Sequence, residues 1–411
     1  MNKNPKMSDF LPEEILEKIL YLLPVKTLIQ FTTVSKSWLS LVKSSAFIQS
    51  HLATTIDSNH LLLLLSAFSS KTDHHWLHLD TPDFPEHSTL PHPCPLLTPE
   101  NRQTDLRVFG ASNGLVALET NVSGIGTETT PELIWNPSVR KIVTLPPPPP
   151  CLDSPEYRGL TQYTSHGFGY DAESDDYKVL RIVSVSNGNS DLSRFTTVVQ
   201  VYSLAEGAWR TVDGSVVPVD VQAGGPERPD FVNGCLHMLD VRLEVYYDEE
   251  EEENVKGGGD VFISRFKLAT EEFGEMVIPE ALRRDKCSIS RYGETLALIK
   301  EKFDDEEEEV NCGCDVWVMK EYGVAESWSF MYSIKGVQVT VFGFRRCGEV
   351  VLAEMEVDSS DEQTRMVSWD PKSGRAKVFG SERFSYYFMD SFVESLVLLD
   401  HPKATAYKIY P

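Results

Sequence analysis

The apolar positions of the chain change their period near residue 55. Between residues 11 and 52 they recur at helical spacing, and the first predicted helix carries on one face Ile15, Leu16, Ile19, Leu20 and Leu23. Pro12 suits the first helical position because its missing N–H would be unpaired there anyway, and Pro24 ends this helix. The pattern predicts a second helix over residues 26–33 and a third over residues 36–42, with Ser35 as its N-cap. About forty residues cannot bury so many apolar side chains alone, so we expect part of this face to contact a partner.

The rest of the chain carries short apolar runs separated by Gly, Asn, Asp and Pro, a pattern that predicts many short strands. Leu61–Phe68 and Trp76–Leu79 are interpreted as a first hairpin, and residues 81–99 as a polar, proline-rich loop. Similar segments then begin at intervals of about 50 to 65 residues, which is typical of repeat arrays such as propellers. Their starts are Ser112, His166, Phe231, Arg291 and Phe342.

Two features of the strand region predict how it packs. Comparable positions on the return strands hold Trp209, Phe273, Trp328 and Lys377, and we expect the three aromatic side chains to pack between neighbouring blades. The segment Phe388–Leu399 is expected to join the first hairpin, so that both chain ends build one blade and few sheet edges remain. The predicted fold is therefore a small all-α module followed by an all-β, propeller-like repeat domain.

The composition narrows the class of protein and its partners. Lys and Arg number 38 against 62 Asp and Glu, and this formal net charge of −24 disfavours direct binding to nucleic acid, which needs concentrated cations. The polar N-terminus shows no signal peptide, and no apolar run approaches the roughly 20 residues of a membrane helix. Seven scattered cysteines predict reduced thiols, so we expect a cytoplasmic or nuclear protein that does not bind membranes.

Several motifs could carry chemistry, and each has a simpler interpretation. The run Asp73–His78 contains three histidines, but no second cluster completes a metal site, so we interpret it as a solvated turn with a packed Trp76. The Cys-Gly-Cys segment at residues 312–314 lacks the spacing of a redox motif and follows acids that would raise a thiol pKa, so it is assigned to a strand entry. The glycine clusters at 167–169 and 257–259 lack a following helix and are assigned to turns and strand starts.

Charge and proline runs interrupt the strand pattern in three places. Six acids occupy residues 248–253 and six more occupy residues 304–309, and we interpret both runs as solvated hairpin tips, with docking of a basic partner as the alternative. Pro146–Pro150 is interpreted as a rigid inter-blade spacer, although an extended proline helix could also bind a proline-recognition domain. None of these runs predicts a catalytic or metal site or a cofactor.

The helical region carries a series of residues at characteristic spacing: Leu11-Pro12, Ile19-Leu20, Leu23-Pro24-Val25-Lys26, Leu28, Val34-Ser35-Lys36-Ser37-Trp38, Phe47 and His51-Leu52. In these residues it resembles the F-box, and the resemblance implies a module that docks on the SKP-type adaptor of a cullin–RING ubiquitin ligase. The strand region carries the phrases NGLVAL, LIWNPSVRKIVTLP, HGFGYDAESDDYKVLRI, VYSLAEGAWR, VNGCLHML and an ESW segment. In these phrases it resembles the F-box-associated domain of plant F-box proteins. It departs from that family at the two acidic runs and at the proline run.

Together these resemblances imply an F-box module over residues 8–53, a short linker over 54–60, and a propeller-like domain over 61–411 with acidic loops near 248–259 and 304–311. They imply a non-catalytic substrate receptor of an SCF-type ubiquitin ligase, which binds the adaptor through the module and a protein target through the β domain. The adaptor-facing or module-core set would be Leu11, Pro12, Ile15, Ile19, Leu23, Pro24, Val25, Leu28, Val34 and Trp38. Two alternatives stay open: an interaction module outside ligation, and a propeller-type enzyme or glycan binder.

Overall fold

The computed structural model of the chain describes most of its helices and strands. The described residues are 12–57, 62–68, 73–91, 93, 104–122, 132–151, 162–186, 195–212, 229–248, 253–302, 312–335, 338–355, 364–381 and 386–407. They contain an N-terminal group of helices followed by strands, so the predicted class of a small α module before an all-β repeat domain is confirmed.

The N-terminal module contains four helices, α1 Glu13–Tyr21, α2 Val25–Phe31, α3 Lys36–Val42 and α4 Ser45–Asp57. The first three lie where the sequence predicts them, with Pro12 before α1 and Pro24 before α2. The fourth was not predicted. It begins after Ser44, whose hydroxyl oxygen accepts a hydrogen bond from the backbone N–H of Phe47, and it covers the first four positions of the predicted linker 54–60.

The predicted N-cap of α3 is confirmed, because the Ser35 hydroxyl oxygen accepts a hydrogen bond of 3.2 Å from the backbone N–H of Trp38. Replacing Ser35 by Ala should lower the free energy of unfolding by about 1 kcal/mol, since one N–H of the first helical turn loses its partner. Urea denaturation measures this change. The control is Ser40→Ala, an exposed position inside the same helix, which should leave stability unchanged or slightly raise it. Equal effects of the two substitutions would contradict the capping role.

The described strands form six sheets of four or five strands, which we call blades. Blade 1 contains β1 Leu62–Phe68, β2 Asp73–Leu79 and β3 Glu86–Thr89. Blade 2 contains β4 Thr104–Ser112, β5 Leu115–Val122, β6 Leu133–Asn136 and β7 Lys141–Thr144. Blade 3 contains β8 Gln162–Asp171, β9 Asp176–Ser186, β10 Phe195–Ser203 and β11 Ala208–Thr211.

The later blades repeat this order. Blade 4 contains β12 Asp230–Val232, β13 Cys235–Asp248, β14 Glu253–Lys267 and β15 Glu272–Met276. Blade 5 contains β16 Cys287–Tyr292, β17 Thr295–Lys302, β18 Gly313–Met319 and β19 Trp328–Lys335. Blade 6 contains β20 Gln338–Phe344, β21 Val350–Met355, β22 Thr364–Asp370 and β23 Arg375–Ser381. The strands β24 Tyr386–Phe392 and β25 Thr405–Ala406 come last. Blades 2 to 6 correspond to the five repeats that the sequence predicts.

Both chain ends contribute to blade 1, as predicted, because β24 pairs beside β1 in the order β24-β1-β2-β3. The contributing strand ends at Phe392, earlier than the predicted segment Phe388–Leu399, and residues 397–400 form turns instead. The predicted loop over 81–99 is also interrupted, since β3 pairs with β2. The sequence of β3 is Glu-His-Ser-Thr, which carries no apolar alternation and so gave no strand signal.

The chain forms two compact units. The first comprises Met1–Ser66, Lys71–Leu145 and Asp390–Pro411, and the second comprises Ala67–Ser70 and Pro146–Met389. Inside the second unit, one apolar cluster contains Leu180 of blade 3 and Phe266 of blade 4, and another contains Ile263 of blade 4 and Leu298 of blade 5. A third cluster contains residues of blades 5 and 6. Neighbouring sheets of this unit therefore bury their apolar faces against each other, as the repeat pattern predicts.

The aromatic residues on the return strands take the predicted role in two of three cases. Phe273 packs on the cluster shared by blades 3 and 4, and Trp328 belongs to the cluster shared by blades 4 and 5. Trp209 instead lies against Tyr202 of its own blade, and its indole N–H donates to the carbonyl oxygen of Pro146 at 2.7 Å. Lys377 is exposed on β23.

Candidate functional site

The residues predicted to face or support an adaptor divide into an exposed group and a buried group. Pro12, Ile15, Ile19, Pro24 and Val34 are exposed, whereas Val25 and Leu28 are buried. Leu23 and Trp38 are half-buried. Leu11 lies outside the described residues. The exposed group can contact a partner directly, while the buried group supports the module from inside.

Helix α1 carries two apolar stripes rather than the single face that the spacing suggests. Ile15, Ile19 and Leu22 follow one another at intervals of four and three residues and are 42%, 45% and 74% exposed. The second stripe, one residue further along, turns inward and contains Leu16, Leu20 and Leu23. A helix advances by 100° per residue, so stripes one residue apart point in clearly different directions.

We call Ile15, Ile19, Leu22 and Val34 the apolar stripe of the module. Val34 follows α2 and is 66% exposed, although it is a β-branched apolar residue. Single exposed apolar residues are ordinary on protein surfaces, but several on one small module indicate a binding surface. Leu22 is not among the predicted residues, although its spacing from Ile15 and Ile19 is a signal that could have identified it.

The inward side of the module packs on residues from distant parts of the first unit. Leu20, Val25, Leu28, Val42 and Phe47 form one core cluster, and the residues from outside the module that belong to it are Val139 and Leu396. Val139 lies in the turn between β6 and β7, and Leu396 follows β24. The module therefore completes its hydrophobic core with residues of blade 2 and of the C-terminal segment. This explains how so few residues can bury so many apolar side chains.

Asn136, at the end of β6, holds the C-terminal segment in place. Its side-chain amide nitrogen donates to the carbonyl oxygens of Ser395 at 3.1 Å and Val397 at 2.7 Å, and to the Ser395 hydroxyl oxygen at 3.1 Å. Its amide oxygen accepts from the backbone N–H of Ser138 at 2.9 Å. One fully buried side chain thus fixes both the β6–β7 turn and the segment that carries Leu396.

Further contacts hold the same C-terminal segment. Lys43, at the end of α3, forms an ion pair of 2.7 Å with Asp400. The indole N–H of the fully buried Trp135 donates to the Tyr407 hydroxyl oxygen at 3.0 Å, and β25 pairs with β7. Residues 393–407, which we call the C-terminal strap, therefore contact both the helical module and blade 2. The module is held on the strands by packing and hydrogen bonds rather than by α4 alone.

The histidine-rich run is part of strand β2, so its interpretation as a solvated turn is wrong. His75 and His78 are buried, and the His75 Nδ1 atom lies 2.8 Å from the Ser66 hydroxyl oxygen. His74 stacks on Trp76 with ring centroids 5.3 Å apart. Within the described ranges, no group of three His, Cys, Asp or Glu side chains could hold a metal ion.

The Cys-Gly-Cys segment enters strand β18, as predicted. Cys314 is buried, and burial followed by the negative charge of Asp315 raises the pKa of its thiol to about 12. Gly313 is required by close packing, because a Cβ atom there would lie 2.0 Å from the carbonyl oxygen of Ile334. This thiol is buried and stays protonated at neutral pH, so it lacks the character of a reactive cysteine.

The other runs also have structural explanations. The clusters at 167–169 and 257–259 lie inside β8 and β14, so their assignment to turns and strand starts is wrong. A Cβ atom on Gly169 would lie 2.4 Å from the Phe231 ring, which shows why the strand needs glycine. Asp248 and Glu253, the first and last residues of the first acidic run, pair at the end of β13 and β14, and residues 249–252 lie outside the described residues. The run at 304–309 lies outside the described residues.

The proline run follows β7 in the chain and is bound to blade 3. The carbonyl oxygen of Pro149 accepts a hydrogen bond of 2.9 Å from the side-chain amide of Gln200, and that of Pro146 accepts from Trp209. These contacts agree with its interpretation as a spacer between blades.

None of the helices in the described part of the chain combines the length and apolarity that a membrane span requires.

Comparison with known proteins adds two family matches and many relatives. Residues 9–50 match the F-box domain, and residues 63–401 match the F-box associated beta propeller domain. The chain is 27% identical to F-box protein CPR1 of Arabidopsis thaliana, over 94% of this chain and 89% of that protein. It is 25% identical to an F-box/kelch-repeat protein of the same plant, over 80% of each chain.

Among solved structures, a putative 6-phosphogluconolactonase from Bacteroides fragilis covers 81% of this chain at 9% identity. The TM-score of 0.32 is too low for that likeness to bear on fold or activity. The two family matches together span most of the chain. The first covers the helical module, and the second covers the blades. The chain therefore belongs to the F-box proteins that carry an F-box associated β-propeller domain.

Proposed function

We propose that the protein is the substrate-recognition subunit of an SCF-type ubiquitin ligase and that it has no catalytic residue of its own. Its module would bind a SKP-family adaptor through the apolar stripe Ile15, Ile19, Leu22 and Val34. Its propeller would bind a protein target. The protein would then raise the concentration of that target near the ubiquitin-charged enzyme.

The observation that carries this proposal is the unequal burial of the two stripes of α1. Leu20 is 1% exposed within the core shared with the strap, whereas Leu22, two residues later, is 74% exposed. An isolated hairpin that only capped a larger domain would turn its apolar residues toward that domain. Here one stripe does so, and the other remains available for a partner of the kind that the F-box family binds.

The strap supports a positional mechanism. A receptor of this type works only if the adaptor site and the target site keep a defined separation, because effective concentration depends on geometry. The packing of Leu396 and Val139 in the core of the module attaches the module to the strap and to blade 2 of the first unit, and the exposed ion pair between Lys43 and Asp400 adds a surface contact. The last helix of the module, α4, continues to Asp57.

The test is adaptor binding by the full chain, since the module shares its core with Val139 and Leu396. The variant Ile19→Ala/Leu22→Ala/Val34→Ala should bind a purified SKP-family adaptor about tenfold or more weakly, because truncated apolar contacts lose interface burial. Isothermal titration calorimetry measures the dissociation constant. These side chains are exposed, so the unfolding midpoint should change little.

The matched control removes three other exposed apolar side chains, which lie outside the module. Val277, Phe330 and Val378 are 53%, 49% and 52% exposed on the propeller, and their simultaneous replacement by Ala should leave adaptor affinity unchanged. Equal affinity of both triple variants would refute the stripe as the adaptor site.

Ligase function needs a separate measurement. Proteins captured by the propeller should accumulate when the chain is depleted from cells. Unchanged levels of those proteins would favour a non-ligase interaction module.

A further inference from the structure

A cavity of about 300 Å³ lies in the first unit between the α1–α2 turn, the C-terminal half of α4 and the strands of blade 1. Its walls are mostly apolar, and the lining residues are Tyr21, Leu22, Leu23, Pro24, Val25, His51, Thr54, Thr55, Leu62, Leu79, His87 and Glu394. This volume is at the small end of the range for small-molecule sites, which are typically apolar with a few polar groups that orient the ligand. The function proposed above does not use this cavity, although Leu22 of the apolar stripe is one of the lining residues.

His51 is one of the lining residues, and its ring is largely buried beside the cavity. The side chain is 2% exposed, and its Nε2 atom lies 2.9 Å from the carbonyl oxygen of Leu23. A carbonyl oxygen only accepts, so Nε2 carries the proton and Nδ1 of the neutral ring carries a lone pair. Nδ1 is buried and has no hydrogen-bond partner within the described residues. Burial lowers the pKa of His51, which keeps this ring neutral and Nδ1 an acceptor at neutral pH.

The Nδ1 atom is itself buried, so the acceptor that a ligand in the cavity can reach is the carboxylate of Glu394. Glu394 follows β24, is half-buried and lines the same cavity, and its charge acts on His51. Within the described part of the chain, its carboxylate forms no ion pair. Glu394 also borders a second cavity, which is lined by Lys26 and Arg140.

We propose that the cavity beside His51 and Glu394 binds a small hydrophobic amine. Its apolar body would lie against Leu23, Leu62 and Leu79, and its ammonium group would bind the Glu394 carboxylate. A carboxylate accepts hydrogen bonds, so a cationic donor complements it. A carboxylic acid would meet Glu394 with like charge.

The experiment titrates the full chain with three arylalkylamines, 2-phenylethylamine, tryptamine and 4-phenylbutylamine, and with their neutral alcohol isosteres, by ligand-observed NMR and calorimetry. At least one amine should bind, and about tenfold more tightly than its alcohol, because a charge-assisted hydrogen bond to a carboxylate is stronger than a neutral one. Glu394→Gln keeps the shape of the cavity and should reduce amine affinity to that of the alcohol.

The matched control is Asp57→Asn, which removes one acidic charge at the end of α4, outside the cavity lining. It should leave amine affinity unchanged. The proposal is overturned if no amine of the three binds, if amines and alcohols bind equally, or if Asp57→Asn weakens binding as much as Glu394→Gln. A second variant, Leu79→Phe, fills the cavity without changing charge and should abolish binding of both ligand classes.

Discussion

Replacing Asn136 by Asp is expected to lower the free energy of unfolding by about 3–5 kcal/mol, because it places an unpaired carboxylate in a buried site. The amide nitrogen of Asn136 donates to the carbonyl oxygens of Ser395 and Val397, and a carboxylate oxygen cannot donate. The negatively charged carboxylate of the new side chain would lie against two carbonyl oxygens. Urea denaturation followed by tryptophan fluorescence should show the loss as a lower midpoint.

The effect should extend from blade 2 to the helical module. Asn136 fixes the strap, and Leu396 of that strap belongs to the core of the module. We therefore expect the far-ultraviolet helical signal of Asn136→Asp to be lost at lower urea concentrations than in the unsubstituted protein. The same change would be much milder if the module were an independently stable unit.

The control is Asn233→Asp, which makes the same chemical change at an exposed turn. The Asn233 side chain also donates to a carbonyl oxygen, that of Glu294, at 3.1 Å. Water can replace this exposed hydrogen bond, so the cost should be about 0.5 kcal/mol or less. If both substitutions lowered the midpoint equally, burial of Asn136 would not be the cause.

Replacing Trp38 by Ala should lower the free energy of unfolding by about 2–4 kcal/mol, at the low end for tryptophan because the side chain is only half-buried. Its ring packs edge-on against Phe31 with centroids 4.8 Å apart, and it lies against the core cluster of the module. Removing the indole leaves a void between α2 and α3. The measurement is again urea denaturation of the full chain.

Adaptor affinity separates a structural role of Trp38 from a contact role. Folded Trp38→Ala protein should keep an adaptor dissociation constant within about threefold of the unsubstituted value, since a cavity inside the module leaves the exposed stripe in place. Val34→Ala should do the reverse and weaken adaptor binding with little loss of stability, because Val34 is 66% exposed. Strong loss of affinity with unchanged stability in Trp38→Ala would place that residue on the interface instead.

Much of the fold could be predicted because its signals are local. Helix α3 begins and ends where Ser35 and the apolar spacing predict, and Pro12 and Pro24 mark the starts of α1 and α2. The repeated strand–turn pattern predicted five blades, and the unpaired runs at both chain ends predicted a sixth. These features depend on backbone preferences and on side chains within a few residues.

The candidate site could be predicted only in part. The sequence identified most of the residues of the apolar stripe, but it grouped exposed Ile15 and Ile19 with buried Leu20 on one face and omitted Leu22. The sequence did not predict the start of strand β2, because polar histidines there indicated a solvated turn. In the structure His75 and His78 are buried. Polarity alone does not distinguish a solvated turn from a strand whose polar atoms find partners such as Ser66.

The sequence by itself determined the order of helices and strands, the repeat, and the module that contains the apolar stripe. Only the tertiary structure decided which stripe of α1 is buried, since that depends on Val139 and Leu396, residues more than a hundred positions away. It also decided that Asn136 holds the strap and that His51 and Glu394 meet at one cavity. Secondary structure follows from neighbours in the chain, whereas burial follows from which distant segments fold against each other.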